Sequence, residues 1–92
     1  MGKKTRVHVL ISGKVQGVWY RASTQAKAQQ LGITGWVRNT RDGKVEAVFE
    51  GDEATIQQMI LWCHQGPPQA KVNTVEVREQ PSSDSFHEFF IR

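Results

Sequence analysis

The 92-residue sequence contains a single cysteine, Cys63. A lone cysteine cannot form an intrachain disulfide, so the composition gives no sign of an oxidising compartment. Isolated thiols on apolar faces are usually small core residues. We therefore expect Cys63 to be a packing residue rather than a nucleophile or a metal ligand.

Long apolar runs are also lacking, since no stretch approaches the roughly 20 residues that span a bilayer. The first ten residues, MGKKTRVHVL, are basic but have neither the apolar region nor the cleavage site of a signal peptide. We expect a cytoplasmic protein with no membrane partner. Neither proline nor glycine dominates, which predicts one small folded domain over residues 5–92 behind an N-terminal tail at 1–4.

Acidic residues are scarce in the first half of the chain. Residues 1–44 contain nine Lys or Arg against Asp42 alone, a net charge of +8. Residues 45–92 contain three Lys or Arg and eight acids, a net charge of −5, which leaves +3 overall. This asymmetry favours an anionic ligand for the first half, although solvated surface charge is the alternative for any single side chain.

Hydrophobic periodicity and turn residues divide the chain into seven elements. The second helix shows the clearest pattern, with Ile56, Met59, Ile60 and Cys63 at i, i+3, i+4 and i+7 after a candidate N-cap at Asp52. In chain order, strands are predicted at 6–13, 33–39, 44–49, 72–77 and 86–91, and helices at 22–31 and from 53 to Gly66.

The order βαββαβ with a final strand predicts an α+β fold. We expect a ferredoxin-like sandwich, in which two helices cover one face of an antiparallel sheet. This fold also serves RNA-binding domains, metal carriers and small regulatory modules, so it does not by itself give a function.

The stretch GKVQGVWYR, residues 13–21, joins the first strand to the first helix. Glycines let the backbone approach a ligand closely, and successive N–H groups in such a loop form an anion-binding nest. The helix N-terminus adds free N–H groups, and Arg21 adds a fork that matches two phosphate oxygens. The pattern is neither a Walker A loop nor GxGxxG. It predicts a phosphate cradle, with a simple glycine turn as the alternative.

A second candidate, Asn39, ends the second predicted strand. Its side chain offers a donor and an acceptor without a titrating charge. Asn also commonly starts turns, and the tetrapeptide TRDG follows it, so a purely local turn role is the alternative.

GKVQGVWYR resembles the acylphosphatase signature Gly-x-Val-Gln-Gly-Val-x-Phe-Arg. The segment GWVRNTRDGKVEAVFEG resembles the second signature of that family, and the likeness extends over residues 5–92. One departure is Tyr20, which stands where the family usually has Phe and whose hydroxyl needs a partner. The matching residues of the second segment are Gly35, Trp36, Asn39, Gly43, Val45 and Gly51.

This resemblance implies a ferredoxin-like enzyme that hydrolyses acyl phosphates to a carboxylate and inorganic phosphate, with no metal, cofactor or phosphoenzyme. Arg21 would bind the phosphoryl group, and Asn39 would orient the attacking water. Backbone amides of the loop would complete the phosphate site, at Lys14, Val15, Gln16, Gly17, Val18, Trp19 and Tyr20.

Acyl phosphates suit a site of this kind, because their leaving group is a carboxylate with a conjugate-acid pKa of about 4. It departs without a proton, so no general acid is required. Alignment and charge stabilisation then supply most of what the reaction needs. We hypothesise that the water passes its proton to a phosphate oxygen of the substrate.

Other polar side chains are assigned supporting roles. Ser23 and Thr24 are expected to cap the first helix or support the loop rather than act as nucleophiles. The histidines lack metal-ligand spacing, and each tryptophan is expected in the core or a pocket wall. Four basic residues are expected around the mouth of the cradle: Lys14, Arg38, Arg41 and Lys44.

The sequence is also compatible with two rival functions. The first is a binding module that retains the cradle as a sensor or partner domain, and the second is an RNA-binding protein on the same fold. The third strand lacks the aromatic pattern of an RNA-recognition motif, so no nucleic-acid partner is expected. The expected partner is an acyl phosphate, with inorganic phosphate or sulfate as a competing anion, on a monomeric protein.

Overall fold

The computed structural model describes residues 3–83 and 85–92. The seven predicted elements are present, and no bound differs from the prediction by more than three residues. They are β1 (Lys4–Lys14), α1 (Tyr20–Leu31), β2 (Thr34–Asn39), β3 (Val45–Asp52), α2 (Glu53–Gln65), β4 (Lys71–Gln80) and β5 (Phe89–Ile91). Within the described part of the chain, no helix is long and apolar enough to cross a membrane.

The five strands form one sheet in the order β4-β1-β3-β2-β5. The β1–β3, β1–β4 and β2–β3 pairs are antiparallel, which confirms the ferredoxin-like plan. β5 pairs with β2 in parallel, so the expectation of a wholly antiparallel sheet was wrong for this strand. β4 and β5 lie at opposite edges of the sheet, so the chain between them must cross the sheet. This crossing sets the direction of β5 relative to β2.

The core lies between the helices and one face of the sheet. Along β1, Val7, Val9 and Ile11 are buried and alternate with more exposed residues. The predicted apolar stripe of α2 is confirmed by the burial of Met59 and Cys63. Both helices contact the sheet and each other, which confirms that they share one face.

The opposite face of the sheet is partly covered by the segment that leads to β5. Glu50 is 1% exposed there and accepts hydrogen bonds from Arg6 Nε at 3.2 Å and from Ser83 N at 2.8 Å. The Arg6 guanidinium also lies 4.7 Å from the ring centre of Phe86. These contacts hold the crossing segment against the sheet and so bring β5 alongside β2.

The helix starts differ from the predicted capping. Asp52 holds the N-cap position of α2, but its side chain makes no capping hydrogen bond. Thr24 does not cap α1. Its Oγ1 donates to Tyr20 O at 2.7 Å, one turn earlier, so it stabilises the first turn from within.

Candidate functional site

The connection between β1 and α1 has an unusual backbone. Gly17 has φ 73° and Trp19 has φ 68°, whereas Val18 between them is not in the left-handed region. The sign of φ thus alternates along the loop, and alternation of left- and right-handed residues is the backbone pattern of an anion-binding nest. Trp19 is the only non-glycine residue with positive φ among the described residues. Such a conformation costs on the order of 1–3 kcal/mol and is typical of functional sites.

The main-chain N–H groups of this connection have no acceptor within the described part of the chain. No N–H of residues 15–22 donates to another described residue, and the first bond of α1 runs from Ser23 N to Trp19 O at 3.0 Å. The free donors include those of the first turn of a 12-residue helix, where anions are favoured. The loop and the helix start therefore form one continuous set of available donors.

Gln16 anchors the loop to the turn between β2 and β3. Its Nε2 donates to Thr40 O and to Lys44 O, both at 2.8 Å. The turn is itself closed by Thr40 N to Lys44 O at 2.9 Å and by Lys44 N to Thr40 Oγ1 at 3.0 Å. Because Asn39 directly precedes Thr40, this contact links the two candidate segments.

A cleft of about 390 Å³ opens between these segments. Arg21 and Asn39 both line it, although 18 positions separate them in the chain. The other predicted residues in its wall are Val15, Gly17, Trp19 and Tyr20, and the sequence did not predict Ala22 or Ile91.

Three predicted phosphate-binding residues do not line the cleft. The Gln16 side chain faces the 40–44 turn, Val18 is buried in the core, and Lys14 is the exposed last residue of β1. Each of them contributes its backbone to the segment from β1 to α1. Ile91 reaches the cleft because β5 pairs with β2, with Ile91 opposite Val37. The terminal FFIR was part of the family likeness, but nothing in its pattern indicated this pairing.

The side chains of Arg21 and Asn39 have no polar partner among the described residues. Neither side chain makes a hydrogen bond or an ion pair with a described residue, and Asn39 Oδ1 is buried. A buried amide oxygen without a partner is costly and is rare in folded proteins. The cleft therefore contains a free cation and a free polar group, as expected where a ligand supplies the missing contacts.

Tyr20 does not reach the cleft with its hydroxyl. Tyr20 is 1% exposed, and its hydroxyl donates to Cys63 O at 2.7 Å. The carbonyl of Cys63 lies in the last turn of α2, and the residue four positions later is Pro67, which has no N–H to offer. The tyrosine hydroxyl thus satisfies an oxygen that a phenylalanine would leave unpaired. Burial raises the pKa of the Tyr20 hydroxyl, and the neighbouring Cys63 adds to the shift.

The four basic residues expected at the mouth differ in their surroundings. Arg38 binds Glu46, and Lys44 Nζ lies 3.7 Å from Asp42 Oδ2. Lys14 and Arg41 are exposed and have no ion pair within the described part of the chain. None of the four is among the residues that line the cleft.

The remaining polar candidates lie elsewhere. His8 Nε2 is 2.6 Å from Glu46 Oε2 on the face of the sheet away from the helices. The described residues contain no cluster of three or more His, Cys, Asp or Glu side chains that could hold a metal ion. Trp62 packs against Tyr20, with ring centres 5.5 Å apart, whereas Trp36 lies under the Arg92 guanidinium and belongs neither to the core nor to the cleft.

Comparison with known proteins gives a consistent result. The acylphosphatase family model matches residues 7–91. An acylphosphatase of Methylococcus capsulatus is 54% identical over 86 residues, covering 94% of each chain. One from Rubrobacter xylanophilus is 52% identical over 87 residues, covering 95% of this chain and 79% of the relative.

A solved acylphosphatase structure from Coxiella burnetii superposes with a TM-score of 0.92 at 43% identity, covering 97% of this chain and 93% of its own. The fold therefore agrees with the sequence matches. The chain belongs to the acylphosphatase family, which confirms the resemblance seen in its two signature segments.

Proposed function

We propose that this protein is an acylphosphatase, which hydrolyses the carboxyl–phosphate bond of acyl phosphates. The acyl phosphate dianion and water give a carboxylate and dihydrogen phosphate, with breakage of the bond between phosphorus and the carboxylate oxygen. The observation that supports this best is the cleft lined by Arg21, Asn39 and four residues of the loop, together with loop N–H groups that donate to no described residue.

The phosphoryl group binds in the loop. The amides from Lys14 to Tyr20 and the guanidinium of Arg21 together offer donors to its oxygens. A tetrahedral oxyanion suits a nest at a helix N-terminus, and arginine adds a planar fork that lysine lacks. Because Gln16 fixes the loop against the 40–44 turn, these donors are aligned before substrate arrives. Donors of this kind lower the barrier by roughly 3–4 kcal/mol each when they meet developing charge.

Asn39 orients the attacking water. Its side-chain oxygen accepts one water hydrogen and directs the lone pair of the water at phosphorus, opposite the leaving carboxylate. The water then passes a proton to a phosphate oxygen, so the step needs no protein base. The carboxylate leaves unprotonated, because its conjugate acid has a pKa of about 4. The proposed reaction therefore uses neither a general acid nor a metal nor a phosphoenzyme.

The proposal also covers competing anions, cellular location and oligomeric state. Inorganic phosphate and sulfate share the tetrahedral charge of the substrate and compete for the loop. The protein acts as a cytoplasmic monomer, for which a buried free cysteine and a site built within one chain are the supporting features.

The test uses steady-state hydrolysis of benzoyl phosphate together with binding of inorganic phosphate measured by calorimetry. Arg21→Ala is expected to lose both, and Arg21→Lys to recover little, because an ammonium group lacks the bidentate fork. Asn39→Ala is expected to lose turnover but to keep phosphate binding.

Lys27→Ala serves as the matched control, because Lys27 is a basic residue of α1 that does not line the cleft. Wild-type protein without activity on benzoyl phosphate, in the presence and absence of EDTA, would refute the proposal. Phosphate binding without turnover would indicate the sensor alternative, and a salt-steep affinity for RNA would indicate the other rival.

A further inference from the structure

Trp19 lies at a position that suits neither the backbone preference nor the hydrophobicity of tryptophan. It is the N-cap residue of α1, at φ 68°, and makes no side-chain capping bond. Ser, Thr, Asp and Asn are favoured at N-caps, and glycine or asparagine at left-handed φ. Trp19 is also 75% exposed, the highest exposure among the large apolar residues described. Neither folding nor capping therefore explains a tryptophan here.

Packing does not explain it either. Trp62 packs against Tyr20, and Trp36 lies 4.4 Å from the Arg92 guanidinium. Trp19 has no ring contact with any described residue and is not part of the hydrophobic core. It does line the cleft that contains Arg21 and Asn39.

The cleft is larger than a phosphoryl group requires. Its volume is about 390 Å³, room for about a dozen water molecules at roughly 30 Å³ each. A phosphoryl group has only four heavy atoms besides the bridging oxygen. The remaining space adjoins apolar side chains, since Ile91 also lines the cleft and is 39% exposed.

From these observations we infer that Trp19 and Ile91 form the acyl-group subsite, which selects acyl phosphates with an aromatic or bulky apolar acyl group. The inference rests on the proposed function, because it places the phosphoryl group in the loop. The left-handed backbone of Trp19 serves the nest, and its indole ring provides a flat apolar surface beside it. An aromatic acyl group stacks on that ring and removes it from water, whereas an acetyl group is too short to do so.

The experiment compares kcat/KM for benzoyl phosphate with kcat/KM for acetyl phosphate in wild-type protein and in Trp19→Gly. Glycine accepts φ 68° without strain, so the variant keeps the backbone that the nest needs. The benzoyl-to-acetyl ratio is expected to fall at least tenfold. An effect on the shared phosphoryl site cancels in this ratio, and the intrinsic reactivities of the two substrates cancel when the ratio of the variant is divided by that of wild-type protein. Inhibition by inorganic phosphate reports separately on the loop.

Two further variants sharpen the comparison. Trp19→Phe retains an aromatic surface and is expected to keep the ratio within threefold of wild type. Leu61→Ala is the matched control, because Leu61 is 71% exposed on α2 and does not line the cleft. Inhibition by benzylphosphonate relative to methylphosphonate is expected to weaken in Trp19→Gly in parallel with the kinetic ratio.

The outcomes distinguish a failure of the acyl subsite from a failure of the proposed function. If wild-type protein hydrolyses both substrates and Trp19→Gly leaves the ratio within threefold, the acyl subsite is refuted while the proposed function stands. If wild-type protein hydrolyses neither substrate, the proposed function fails and the subsite fails with it.

Discussion

The side-chain nitrogen of Gln16 lies 2.8 Å from the main-chain oxygen of Thr40. Thr40 directly follows Asn39, and Gln16 directly precedes Gly17, the first left-handed residue of the loop. A second bond of the same length runs from Gln16 to Lys44 O. One side chain therefore fixes the position of the phosphoryl-binding loop relative to Asn39, the residue that would orient the water.

Replacing Gln16 should consequently lower both catalysis and stability. Gln16→Met keeps the length of the side chain but removes both donors. We expect a loss of about 1–3 kcal/mol in the free energy of unfolding, as for two neutral hydrogen bonds. Misalignment of the two segments should lower kcat/KM by about 10- to 100-fold. Urea unfolding and steady-state kinetics measure the two effects.

Gln25→Met is the matched control for this prediction. Gln25 Nε2 also donates to a main-chain oxygen, that of Phe89 at 3.2 Å, but Gln25 does not line the cleft. Its loss should lower stability by a similar amount per bond with little effect on kcat/KM. Equal losses of activity in the two variants would contradict a positioning role for Gln16.

Asn39→Ala should lower turnover without lowering stability. The Asn39 side chain makes no hydrogen bond with a described residue, and its Oδ1 is buried without a partner. Removing it therefore breaks no hydrogen bond with a described residue and abolishes an unmet desolvation cost. We expect the free energy of unfolding to stay equal or rise by up to about 1 kcal/mol, while kcat falls by about 10² to 10³.

Asn73→Ala controls for loss of an asparagine, since Asn73 is exposed on the edge strand β4. Urea unfolding and benzoyl phosphate turnover are measured on both variants. A marked drop in the stability of Asn39→Ala, comparable to its loss of activity, would mean that Asn39 serves the turn instead of the substrate.

The sequence allowed the β-α-β-β-α-β plan to be predicted because hydrophobic periodicity and turn residues are local signals. Asn39 was placed correctly at the end of the second strand for the same reason. The parallel pairing of β5 was missed, because the sequence of a short apolar strand indicates neither its direction nor the strand with which it pairs. The role of the Gln16 side chain was missed as well, since its partners are main-chain oxygens 24 and 28 positions away. Ile91 reaches the cleft only through that same unpredicted pairing.

Salt should weaken the enzyme mainly through two of the four basic residues near the site. Lys14 and Arg41 have no ion pair within the described residues, whereas Arg38 and Lys44 have acidic partners. Unpaired surface charges attract a dianionic substrate more effectively, and ions screen them over about 30 Å at 0.01 M but about 10 Å at 0.1 M. We expect kcat/KM to fall several-fold between these ionic strengths.

The double variant Lys14→Gln/Arg41→Gln should lower kcat/KM at 0.01 M salt and flatten the profile. Arg38→Gln/Lys44→Gln removes the same formal charge and should flatten it less. Stopped-flow measurements across a sodium chloride series test both. A wild-type kcat/KM that does not change with ionic strength would show that none of the four residues attracts the substrate.

Two buried groups should make the fold sensitive to alkali. Burial raises the pKa of the Cys63 thiol from 9.0 to about 12. Burial also raises the pKa of the Tyr20 hydroxyl above its usual 10.0. Above these ordinary values the unfolded chain releases protons that the native protein retains, so the free energy of unfolding falls as pH rises. Below pH 9 the contribution of both groups is fully present.

Urea unfolding at intervals from pH 7.5 to 10.5, with a reducing agent, measures this dependence. Each group contributes a slope of up to about 1.4 kcal/mol per pH unit once the pH exceeds its unfolded pKa. Cys63→Ala should make the slope shallower from pH 9 upward, and Tyr20→Phe only from pH 10 upward. Slopes are compared instead of absolute stabilities, because each variant also loses packing or the bond to Cys63 O. A wild-type stability that stays level to pH 10.5 would show that the native protein ionises both groups without cost, which their burial does not allow.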